Sequence, residues 1–336
     1  MFKKKLIAIA AAATITVSLC ACSGSGGGSS TASQASTEAA SSAADESTQG
    51  GSSSGNKYIA KPKFIQDDEV NIKETSSKDR FCYNTLNDKE KLYYEKVRTA
   101  VSQQMNAFYW NNRECLPETA QKIIKYVAYD YPEYFWYSDN GGSLVMATDK
   151  VIQRVKLHYG YNQDEIKDIQ AKIDEAAKTY TESAKDLKTD YDKSLNAYEY
   201  IIKNTELVTD KNDVTTETLS SLESDKDALS GWNISGVLVN KKANDRGFTQ
   251  TYQYLMNLSG IECGYVKGNN QFWNIVKLDG EWYCTDVASG KGSDGSVTYE
   301  YFNVTSEKIS ELHKADEDFG VELPECTATK NAYKNS

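Results

Sequence analysis

Apolar residues recur at helical spacing in several stretches of the chain. Leu92, Tyr93, Val97, Val101, Met105 and Phe108 predict a helix over 87 to about 110, with Asn87 and Glu90 as a capping box. A second helix is expected from Pro117 to about Asp130, opened by its proline and closed by Tyr131-Pro132. Residues 143–148 and 151–159 read as strands. Asn162 and Glu165 then open a long polar helix to about Ala184. The next helix, about 190–204, carries Leu195, Tyr198, Ile201 and Ile202 on one face. An irregular segment containing Gly and Asn leads to Asp245. From there a helix runs to about Ser259, with Phe248, Tyr252, Leu255, Met256 and Ser259 inward and Gly260 as its stop. Strands over 261–267, 271–278 and 281–287 follow.

Asp279-Gly280 is a two-residue hairpin signal, and such a turn fixes register. Leu278 then pairs with Glu281, which sets Trp273 opposite Asp286 and Gln271 opposite Ala288. Side chains alternate faces along a strand. Gln271, Trp273 and Ile275 therefore share a face with Cys284 and Asp286. Gln271 and Asp286 become diagonal neighbours, near enough to bridge by a hydrogen bond.

The first residues have a different character. Lys3, Lys4 and Lys5 precede the apolar run from Leu6 to Leu19, the layout of an export signal. Leu19-Cys20-Ala21-Cys22 resembles the lipobox of bacterial lipoproteins. That resemblance implies cleavage before Cys22 and a diacylglyceryl group on it. The expected location is extracytoplasmic, with the chain lipid-anchored to the bacterial cell membrane and not spanning it. From residue 23 to 56, Ser, Gly, Ala and Thr fill 28 of 34 positions. With no large apolar side chain, such a segment cannot offset its ordering entropy by burial and reads as a disordered tether.

Composition narrows the functions open to the remainder. The chain has 336 residues and a formal net charge of -10, which argues against a generic nucleic-acid binder. Its two histidines, His158 and His313, leave little scope for histidine-rich metal sites. Cys82, Cys115, Cys263, Cys284 and Cys326 follow Cys22 without any C-x-x-C spacing. They read mostly as small buried hydrophobes, with disulfide pairing left open. No cofactor and no metal are expected.

The stretch from Trp232 to Asp286 resembles the transglutaminase-like superfamily, especially bacterial lipoproteins of clostridial type. The resemblance covers roughly residues 190–305, with a weaker echo in Asp130-Tyr131-Pro132-Glu133-Tyr134-Phe135-Trp136. Gly247, Gly260, Cys263, Gly264, Trp273 and Asn274 look family-like. The fold class it implies is α+β: a transglutaminase-like, or papain-like, arrangement with a central helix on an antiparallel β-sheet and an N-terminal mostly helical region. In that family a Cys begins the central helix, a His begins one hairpin strand and an Asp lies on the next, acting as nucleophile, base and orienter. Here those positions are Asp245, Gln271 and Asp286. Only the acid is retained, so no catalytic set is intact. A carboxylate is a poor acyl acceptor for amide exchange, and an amide cannot serve as a base near neutral pH. Asp245 is expected to act instead as the helix N-cap.

The division expected from sequence is a signal peptide at 1–21, a lipidated Cys and linker at 22–56, and a mainly helical region at 57–185. A transglutaminase-like domain at 186–310 and a C-terminal extension at 311–336 complete it. The expected function is a surface-tethered, non-enzymatic binding module for a peptide, a protein or a cell-wall glycan. Trp232, Arg246 and Trp273 are its candidate contacts, and the membrane is reached through the lipid anchor alone. Two alternatives are a hydrolase using Asp245 and Asp286 as a carboxylate pair and a structural or assembly lipoprotein.

Overall fold

The computed structural model describes residues 63–65, 75–110, 114–147, 151–208, 225–268, 271–317 and 319–334. The export signal, Cys22 and the tether lie outside these residues. All the described residues fall within one compact unit, Ser54–Ser336. It is a mixed α+β structure of helices and small sheets. Among the described residues no helix is long and apolar enough to cross a membrane.

The early part combines helices with a sheet. Strand β1 is Lys63–Phe64, α1 is Phe81–Asn84, α2 is Asp88–Ser102, β2 is Ala107–Tyr109 and α3 is Pro117–Asp130. Strands β3, Gly142–Met146, and β4, Ile152–Leu157, complete a four-stranded sheet in the order β1-β2-β4-β3. The first long helix is therefore shorter than the 87–110 expected. It stops because Gln104 adopts φ 53°, a left-handed turn, and the chain re-enters as β2. Met105 and Phe108 are buried in the same core, so they extend the helical spacing without being helical. The capping box at Asn87 and Glu90 is present.

The Asp130 to Trp136 segment binds elements together. The Asp130 carboxylate, fully buried, accepts from Cys82 N and Tyr83 N at 2.9 Å each and from Tyr94 Oη at 2.7 Å. It thus caps the first turn of α1 from another helix. Arg80 donates to the Asp130 carbonyl at 2.8 Å and pairs with Glu133.

Helix α4 is Gln163–Ala184, with its expected capping box, and α5 is Asp190–Asn204. Strand β5, Glu206–Leu207, pairs in parallel with β6, Lys242–Ala243. Between them lie α6, Lys226–Gly231, and a π-helical turn, Gly236–Asn240. Helix α7, Asp245–Leu258, is buried on nearly every side from Arg246 to Met256, while Ser259 is only half-buried at its end. Gly260 stops it at φ 73°.

A three-stranded antiparallel meander lies beside α7. It comprises β7, Cys263–Gly268, β8, Gln271–Leu278, and β9, Glu281–Thr285. Thr249 Oγ1 donates to the Phe272 carbonyl at 3.0 Å, and Asn274 Nδ2 donates to the Thr249 carbonyl at 3.1 Å. The hairpin has the expected register, Leu278 opposite Glu281 and Ile275 opposite Cys284. Asp279 and Gly280 both take positive φ, 52° and 87°, as a two-residue turn of that kind requires. A short helix α8, Ser306–Ile309, precedes the C-terminal segment.

Candidate functional site

The start of α7, the start of β8 and the end of β9 bring Asp245, Gln271 and Asp286 into one neighbourhood. A fourth residue joins them from outside the hairpin. His313, four residues beyond α8, places its ring between Gln271 and Asp286. Its Nδ1 lies 2.8 Å from Gln271 Oε1 and its Nε2 lies 2.6 Å from Asp286 Oδ2. The His313 side chain is only 2% exposed and that of Asp286 3%. The direct Gln271–Asp286 bridge expected from register is therefore replaced by a bridge through an imidazole. A carboxamide oxygen and a carboxylate oxygen can only accept. Both ring nitrogens are thus engaged by side chains.

Several contacts seat this ring. It stacks on Trp273, with ring centroids 4.9 Å apart and planes 13° apart. His313 N donates to the Ile309 carbonyl at 2.9 Å, and Asp316 N to the Lys267 carbonyl at 3.0 Å. At Gly268 an added Cβ would lie 1.9 Å from the Lys314 carbonyl oxygen, so only glycine lets the segment pass this close. Asp286 is held in turn by Ser289, whose N donates at 2.9 Å and whose Oγ donates at 2.5 Å.

Asp245 is the first helical residue, not the cap. Asn244 caps the helix, its side chain accepting from Gly247 N at 3.1 Å. Asn244 takes this position because its own backbone is extended, at φ -87° and ψ -176°, which aims its side-chain oxygen at the third helical N–H. Gly247 permits the packing: a Cβ there would meet the Gly231 carbonyl at 2.6 Å. The Asp245 carboxylate accepts from Arg246 N at 2.9 Å and is half-buried. Burial and the nearby Asp286 push its carboxyl up to about 6, against the opposing pull of the Arg246 N–H and His313.

The three candidate ligand contacts separate. Trp273 is 3% exposed beneath His313. Arg246 is buried, donating to Asp139 at 3.1 Å and lying over the Phe272 ring. Its Nε has no hydrogen-bond partner among the described residues. Trp232 is half-buried. It shares with Arg246 a small cleft whose wall includes Tyr131, Tyr134, Phe135 and Tyr137. Among the described residues no group of three or more His, Cys, Asp and Glu side chains is set to hold a metal ion.

Sequence reasoning missed His313. Its signal was scarcity alone: the chain has two histidines, and a buried one must find partners. Nothing in the local pattern points from residue 313 to residues 271 and 286.

No family model matches the chain, and no curated protein sequence matches it. Among solved structures, one described as "Crystal structure of a TGase" is similar over 54% of this chain and 50% of that chain, with 14% identity and a TM-score of 0.30. The match thus spans about half the length of that protein.

Proposed function

We propose that this chain is a catalytically degenerate transglutaminase-like protein, tethered at the cell surface through Cys22, that binds a peptide, a glycan or cell-wall material without turning it over. The observation that carries this reading is the engagement of His313. Both ring nitrogens are taken up, one by Gln271 and one by Asp286. A general base must offer a nitrogen to the proton it removes, and this ring offers neither. The position at the head of α7 holds a carboxylate, Asp245, where the superfamily places a thiol. Asp286 is committed to His313 and Ser289.

Binding falls to the aromatic cleft beside Trp232. The half-buried rings of Trp232 and Tyr134 there suit a sugar ring or a proline-rich or aromatic peptide segment, and Arg246 suits a ligand that brings a hydrogen-bond acceptor. The test uses the unit Ser54–Ser336. It is incubated with a glutamine-donor peptide and an amine, and separately titrated with wall fragments and peptides while tryptophan emission is followed. Saturable binding lost on Trp232→Ala, without turnover, is the expected result. Turnover above background that is abolished by Asp245→Ala defeats it.

One observation favours a second reading, a hydrolase with altered chemistry. A half-buried carboxyl pushed up to about 6 has the character of a general acid. Against it, both oxygens of the second carboxylate, Asp286, are already engaged by Ser289 and His313.

A further inference from the structure

Cys284 and Cys326 come from distant parts of the chain and meet in the core. Cys284, in β9, exchanges both backbone hydrogen bonds with Val304, each 2.8 Å. Two residues further on, Ser306 N donates to the Cys326 carbonyl at 2.8 Å, and Cys326 N donates to Ser306 Oγ at 2.9 Å. The segment from Val304 to Ser306 therefore fixes both cysteine backbones. Each thiol is the largest single influence on the other's hold on its proton. The two residues are 3% and 1% exposed.

We infer that Cys284 and Cys326 are a disulfide pair that staples the C-terminal segment to β9. Two buried cysteines whose backbones are held by hydrogen bonds to one short segment, Val304 to Ser306, need only an approach of their sulfurs to bond. The loop closed by the bond contains both Asp286 and His313. The staple therefore restrains the segment that delivers His313 to the site. All five cysteines that follow Cys22 are free thiols in the structure; pairing Cys284 with Cys326 leaves Cys82, Cys115 and Cys263 as thiols and accounts for the odd number.

The oxidant is a disulfide of the glutathione type. The Cys326 thiolate attacks one sulfur of oxidised glutathione, releases one glutathione thiolate and forms a mixed disulfide. The Cys284 thiolate then attacks Cys326 Sγ and expels the second glutathione. Two electrons pass to glutathione, and the two thiol protons end on the two released thiolates. The order of attack follows the two thiols' environments. Cys284 lowers the Cys326 thiol from its ordinary range, while Cys326 and then burial push Cys284 up.

The full chain is refolded from the reduced, denatured state in a mixture of reduced and oxidised glutathione. Remaining thiols are then alkylated in denaturant and the protein digested without reduction. A peptide pair joined through Cys284 and Cys326, with Cys82, Cys115 and Cys263 alkylated, is the expected product. Reducing that material is expected to lower its thermal midpoint by about 5–10 °C, a drop absent from Cys284→Ala with Cys326→Ala. Alkylation of both Cys284 and Cys326 in the folded product, or a bond from either to another cysteine, overturns the assignment. The digest reads the pairing directly, whatever becomes of the double variant.

Discussion

His313 Nε2 lies 2.6 Å from Asp286 Oδ2, and the two residues are 27 positions apart in the chain. That contact joins the C-terminal segment to the end of β9. It gives Asp286 the imidazole that Gln271 does not supply from its own strand. A buried carboxylate stripped of such a partner is costly, commonly by about 3–5 kcal/mol. His313→Ala is therefore expected to destabilise the unit by about 3 kcal/mol, read from urea unfolding. Trp273 loses its stacking partner in the same variant, so its emission should shift to the red. An unchanged unfolding midpoint would show that the contact contributes nothing.

Gly268 lets the chain carrying His313 pass. Gly268→Ala would force the Lys314 carbonyl away from a contact of 1.9 Å. The expected cost is about 1–3 kcal/mol, typical of overpacking, with Trp273 becoming more accessible to acrylamide quenching. Equal quenching in the two proteins would mean that the segment does not depend on that passage.

Asp245 makes stability depend on pH. Its folded value, about 6, lies above the ordinary 3.8. The folded state therefore holds the proton more tightly than the unfolded state. Stability is greatest below about pH 4 for this group and falls as pH rises to about 6, then levels off. The shift corresponds to at most about 3 kcal/mol. Solvent screening at a half-buried position reduces that to about 1–2 kcal/mol. Asp245→Asn is expected to be the more stable protein at pH 7 and to lose its advantage below pH 4, as read from unfolding midpoints across that range. A constant difference between the two proteins would contradict the raised value.

Trp232 is half-buried on the rim of the aromatic cleft, so truncating it should hardly disturb the fold. Trp232→Ala is expected to change stability by about 1 kcal/mol or less while weakening ligand binding at least tenfold, measured by titration calorimetry. Unaltered affinity would move the binding surface elsewhere.

Much of the local structure was legible in the sequence because it is set by local chemistry. The Asp279-Gly280 turn fixed the hairpin register, and the capping pairs at Asn87 and Asn162 marked helix starts. Pro117 and the pair Tyr131-Pro132 bounded α3. Errors arose where a neighbouring element shares a core. Met105 and Phe108 continue the spacing of α2 only because the turn after it and β2 bury them against the same cluster. At the head of α7, Asn244 and Asp245 are both good caps, and only the backbone decides between them. Asp245, Gln271 and Asp286 do gather in one place. What closes the space between two of them could not be read. His313 arrives through the α8 turn, the Gly268 passage and the Asp316–Lys267 hydrogen bond, all non-local contacts.

The central claim is that His313 is sealed between Gln271 and Asp286 with neither ring nitrogen free. A chain with two histidines allows a direct measurement. The native protein is treated with diethyl pyrocarbonate near neutral pH, and the two histidine-containing peptides are quantified by mass spectrometry. His158, which is exposed, should be modified, whereas His313 should stay unmodified until the protein is unfolded. Modification of His313 in the native protein at a rate like that of His158 would reveal an accessible imidazole and contradict the proposal of a sealed, non-catalytic site.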